Sequence, residues 1–123
     1  MLNILITGNN FNTSSAVEDA LQSSILDNET SIIHFDNKTP SFINKYDHYD
    51  ALIIKIQLND TTSLKLVKQV REYSDMPIIV VSDSNNIKLL IKYLEAGADN
   101  FITTPFNKNI FSASLKALIR RVN

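Results

Sequence analysis

Two periods alternate along the chain. Short, largely apolar runs occur at Leu2–Thr7, Ser31–Phe35, Ala51–Ile54, Ile78–Val81 and Asn100–Thr103. Runs such as Ala51–Ile54 and Ile78–Val81 have no polar face, which is how strands covered on both sides of a parallel sheet read. Between the runs, apolar residues recur at helical spacing. Val17, Ala20, Leu21, Ser24 and Ile25 share one face; Leu64, Val67 and Val70, with Leu66 beside them, share another and carry a helix to about Tyr73. Ile87, Leu90, Ile91 and Leu94 form the cleanest stripe, and Phe111, Leu115 and Leu118 the last one. Each predicts an amphipathic helix. Thr13 or Ser14 caps the first, with Glu18 or Asp19 near its positive end, and Thr39-Pro40 opens a short helix reaching about Lys45. Gly8-Asn9-Asn10, Asp27-Asn28-Glu29 and Asn59 to Ser63 break the patterns, and Gly97 predicts a left-handed C-terminal cap.

The element order is therefore βαβαβαβαβα. Strands that alternate with helices must cross over right-handedly and pack back on one sheet. The fold class is α/β: a flavodoxin-like (βα)5 three-layer sandwich with a five-stranded parallel sheet in the order 2-1-3-4-5. The most apolar strands, three and four, belong at its centre. On the fourth helix the stripe predicts an inward face of Ile87, Leu90, Ile91 and Leu94, with Lys88, Lys92 and Glu95 solvated and Leu89 and Tyr93 flanking them. Lys55 interrupts strand three at its carboxyl end, the rim where open α/β sheets place ligands and chemistry. A charge there must stay solvated, by snorkelling on its long stem, or find a partner.

Composition narrows the function classes. With 12 basic and 13 acidic side chains, the chain has no bulk field directed at nucleic acid or an anionic membrane. The absence of cysteine removes disulfides, thiol catalysis and zinc-thiolate sites. The N-terminus enters a strand pattern directly, and no apolar run approaches a membrane span, so a single cytoplasmic domain is expected. Gly8 with two asparagines lacks the arrangement of a phosphate cradle. His34 and His48 fall too far apart in this plan to act as a pair.

From Leu94 to Phe106 the chain reads LEAGADNFITTPF. This resembles the LEAGADDYITKPF run in receiver domains of bacterial response regulators of the OmpR/PhoB group. Tyr49 to Ile54 is similar to that family's third strand, Met76 to Ser82 to its fourth, and Leu118-Ile119-Arg120-Arg121 to its last helix running toward a linker. The resemblance covers the whole chain. It implies phosphoryl transfer from a histidine kinase to an aspartate ending strand three, with Mg²⁺ held by that aspartate and two acidic residues after strand one. It also implies a strand-five lysine and a strand-four Ser/Thr holding the phosphoryl oxygens. Such a site needs carboxylate oxygens for the hard cation and fixed cations for the developing charge.

This sequence departs from that pattern. Lys55 stands at the acceptor position, Gly8 and Asn9 at the acidic positions and Thr104 at the strand-five lysine. Ser82 remains, as do Phe101 at the aromatic switch position and Pro105, which resembles the family's cis-proline. The resemblance thus implies a degenerate pocket of Gly8, Asn9, Lys55, Ser82, Asp83, Thr104 and Pro105, with no catalytic residue and the Mg²⁺ site lost. Within it Lys55 either pairs with Asp83 or lies over the rim toward solvent. Asp50 and Asp60 flank strand three but do not point into the same pocket. The family's dimer face, on helix four, strand five and helix five, would here involve Leu89, Lys92, Tyr93, Asp99, Asn100, Ile110 and Ser114. Asn100, Ile110 and Ser114 replace residues that are usually charged, so the face should be more apolar than in relatives. The expected function is a phosphorylation-independent regulatory and dimerisation domain of a transcription factor. DNA would be contacted only by a domain beyond residue 123, a protein partner could replace the kinase, and no membrane is involved. The alternative is a stand-alone protein–protein adaptor of the same fold.

Overall fold

In a computed structural model of the chain, residues 2–8, 17, 20, 21, 30–34, 49–56 and 62–122 are described. They comprise strands β1 (Leu2–Gly8), β2 (Thr30–His34), β3 (Ala51–Ile56), β4 (Ile78–Ser82) and β5 (Asn100–Thr103), and helices α1 (Thr62–Tyr73), α2 (Ile87–Ala96) and α3 (Lys108–Val122). Val17, Ala20 and Leu21 are also helical and buried. The first helix's caps, the Thr39–Lys45 helix, Asn9, His48 and Asp60 lie outside the described residues.

The strands form one parallel sheet in the order β2-β1-β3-β4-β5. β3 sits at its centre and all its residues are buried, which explains why Ala51–Ile54 lacks a polar face. β5, at the edge, has only four residues and is half-buried. Side-chain alternation divides the interior in two. Leu52, Ile54, Ile78, Val80 and Phe101 meet Leu66, Val67 and Val70 of α1 and Tyr93 of α2 on one face. Ile4, Ile6, Ala51, Ile53, Ile79 and Val81 meet Val17, Ala20 and Leu21, together with Phe111, Leu115 and Ile119 of α3, on the other. Each fully buried Leu or Ile stabilises the sandwich by about 1.5–3 kcal/mol.

The sequence expectation for α2 is corrected by its packing. Tyr93 is the buried residue, at 0 % exposure, and Leu89, Leu90 and Ala96 pack partly against the core. Ile87, Ile91 and Leu94, the expected inward stripe, are 71 %, 46 % and 40 % exposed. Apolar residues occupy most of this helix's circumference, so periodicity leaves its phase open. Tyr93 settles the phase: its ring lies 6.1 Å from that of Phe101, tilted by 49°, a favourable aromatic geometry. The helix ends as expected at Gly97, whose φ is 125°. The Gly97 N–H reaches the Leu94 carbonyl at 3.1 Å and the Ala98 N–H reaches that of Tyr93 at 3.0 Å, a Schellman closure.

Candidate functional site

At the carboxyl rim of the sheet, Lys55 lies in one register row with Gly8 on β1, Val81 on β4 and Ile102 on β5. Alternation gives it the face of Ala51 and Ile53, while Ser82, one row further, takes the face of Ile78 and Val80. Lys55 is only 6 % exposed, so it does not lie out over the rim toward solvent. Nor does it pair with Asp83: that residue is exposed, just past the end of β4, and no ion pair joins the two. Every buried side-chain nitrogen and oxygen among the described residues has a hydrogen-bond partner.

Ser82 is fully buried. Its hydroxyl accepts the Ser84 N–H at 3.0 Å, and its carbonyl accepts the Thr104 N–H at 2.8 Å and the Thr104 hydroxyl at 3.4 Å. The Thr104–Pro105 bond is cis. Phe101 points inward and is buried against Tyr93. The structure therefore ties Ser82 to Thr104 and places Phe101 beneath the same helix, but it leaves Asp83 outside the group.

Among the residues expected at a dimer face, Lys92, Asp99 and Ile110 are exposed and Tyr93 is buried. Tyr93 is in the core rather than on the surface, because its large ring fills the space between α2 and Phe101. Leu89 packs partly against the same core. Lys92 projects about 200° around the helix from Leu94, hence from the opposite flank. Asp99 is engaged within the chain, by Arg71 at 2.9 Å and by the Ile78 N–H at 2.8 Å. Asn100 turns its side-chain oxygen onto the Phe101 N–H at 2.9 Å, and Ser114 is half-buried. Ile110 is 66 % exposed. Ile87, Ile91 and Leu94 on α2 are exposed large hydrophobic residues as well. The stripe was visible in the sequence; its direction was not.

The opposite, amino-terminal rim holds a polar centre that the sequence did not announce. Arg71, in the last turn of α1, donates from Nε and Nη2 to the Gly97 carbonyl at 3.0 and 2.7 Å. Nη1 donates to the carbonyls of Ser74 and Met76 at 3.1 and 2.9 Å. Beside it a cleft of about 390 Å³ is lined by Arg71, Asp75, Pro77, Asp99, Leu118 and Arg121. Asp50 belongs to this rim too: its carboxylate accepts the Asn3 N–H at 2.7 Å, fixing the entry to β3. Among the described residues, no three of His, Asp and Glu gather as metal ligands, and no helix is long and apolar enough to cross a membrane.

The parallel sandwich is an α/β fold, and residues 5–116 match the model of the response regulator receiver domain. The chain belongs to that family. Among similar curated proteins, the transcriptional regulatory protein KdpE of Staphylococcus aureus is 31 % identical over 86 residues, covering 69 % of this chain and 37 % of that protein. The chain thus spans well under half the length of such relatives. A two-component response regulator from Clostridium difficile superimposes with a TM-score of 0.78 at 23 % identity, covering 100 % of this chain and 99 % of that one. An atypical orphan response regulator, described as having a phosphorylation-independent regulatory mechanism, superimposes with a TM-score of 0.72 at 19 % identity, over 97 % of this chain and 96 % of that one. Both likenesses are of fold.

Proposed function

We propose that this chain is the receiver domain of an OmpR/PhoB-type transcription regulator and that it works without being phosphorylated. One observation carries the reading: a buried lysine occupies the carboxyl end of the central strand. An ammonium cannot form the acyl phosphate on which the family's chemistry turns. The described rim residues Gly8, Lys55, Ser82 and Thr104 offer no carboxylate, and an ammonium among them does not fit a hard divalent cation. The orphan regulator of similar fold is a precedent for control by other means.

The domain's work is then docking. A second copy, packed through Ile87, Ile91, Leu94 and Ile110, would cover exposed large hydrophobic residues of α2 and α3. An attached DNA-binding domain would be brought together by that contact. Because phosphate does not tip the balance, a ligand, a partner or concentration must do so. Incubation with acetyl phosphate and Mg²⁺, followed by intact mass, tests the reading. The mass should not change; gain of a phosphoryl group on the wild-type chain refutes it.

A further inference from the structure

Arg71 uses all of its donors. A guanidinium has five N–H bonds in one plane; here one goes to the carbonyl of Ser74, one to Met76, two to Gly97 and one to the Asp99 carboxylate. Asp99 also accepts the Ile78 N–H at 2.8 Å. The fork therefore joins the end of α1, the entry to β4 and the chain leaving α2. Its stem contributes as well. A Cβ at Gly97 would stand 2.9 Å from Arg71 Cγ, and the φ of +125° disfavours any side chain there. Gly97 is thus the close approach that lets an arginine stem cross the end of α2.

We propose that Arg71 is a positioning residue for the exposed flank of α2. The inference rests on the reading of that flank as a self-docking surface. Leu94 lies three residues before Gly97 and Ile91 six; Tyr93 selects the rotation of their helix, and Arg71 holds the point at which it ends. At the other end α2 has a local cap, the Asn86 side chain accepting the Leu89 N–H at 3.1 Å. The long-range holds on the chain leaving it come from Arg71, on Gly97 and Asp99 across 26 and 28 residues of sequence, and from Ile78, which exchanges hydrogen bonds with Asp99. Lysine, a point charge with rotating donors, cannot reproduce a planar fork on four acceptors.

Sedimentation velocity of the whole chain and amide exchange over residues 94–100 test this in wild type, Arg71→Lys, Val67→Ala and Ile91→Asp. Arg71→Lys should stay folded, exchange faster over 94–100 and self-associate about tenfold more weakly. Val67→Ala loosens the core side of the same helix and should leave association within about twofold. The proposal is overturned if Arg71→Lys leaves association and exchange unchanged, or if Val67→Ala weakens association equally at equal loss of stability. A monomeric wild type, or an Ile91→Asp variant that associates normally, sinks the docking surface instead; exchange over 94–100 then decides whether Arg71 sets the helix.

Discussion

Tyr93 separates a core role from a surface role. It was expected at an interface, and the structure buries it completely against Phe101. Truncation to alanine at a fully buried aromatic position costs about 3–5 kcal/mol, combining lost transfer energy with an incompletely collapsed cavity. Part of that is the aromatic pair, about 0.5–1.5 kcal/mol beyond area. A domain of this length has a total stability of roughly 6–18 kcal/mol, so Tyr93→Ala should remove between about a sixth and about four fifths of it. With a urea m-value of about 2 kcal/mol/M, the midpoint should fall by roughly 2 M, and the melting temperature by about 10–20 °C. Circular dichroism in a urea series measures the first and a thermal scan the second. Leu94→Ala, on the exposed flank, should change stability by less than about 1 kcal/mol while weakening self-association. The reasoning is refuted if Tyr93→Ala costs under about 1 kcal/mol and instead abolishes association.

Gly97→Ala meets both a positive φ and the Arg71 stem, and should cost about 1–3 kcal/mol by denaturant unfolding. Ile110→Asp should weaken self-association at least roughly tenfold in sedimentation, whereas raising salt from about 0.05 to 0.5 M should change the wild-type constant by less than about threefold, because the proposed contact is centred on apolar side chains. Lys55→Asp should remain unlabelled by acetyl phosphate in intact-mass measurements, since Gly8 supplies no carboxylate for the metal that the transfer needs. Asp50→Ala leaves the Asn3 N–H without its carboxylate and should cost about 1–2 kcal/mol in urea.

Strands were readable because burial on both faces writes itself as unbroken apolar runs, and Ala51–Ile54 and Ile78–Val81 announced the sheet's centre. Gly97 was readable for a similar local reason, a turn that only glycine enters easily. The phase of α2 was not, since apolar residues lie on nearly every side of that helix and only the fit of Tyr93 under Phe101 selects one. The rim was legible in composition but not in arrangement: Lys55 stood out as a charge, yet neither its depth nor the exposure of Asp83 follows from strand order. Arg71 left no local trace at all. Its partners Gly97 and Asp99 are 26 and 28 residues away, and an arginine near a helix end looks like ordinary complement to the helix dipole.

The hold of Arg71 on Gly97 and Asp99 lies at the opposite end of the strands from Lys55. What keeps β4, α2 and the entry to β5 assembled is thus independent of whichever groups line the far mouth of the sheet. A lineage could exchange an acid for a base at that mouth, and so abandon a reaction, without dismantling the frame that presents the helices to a neighbour.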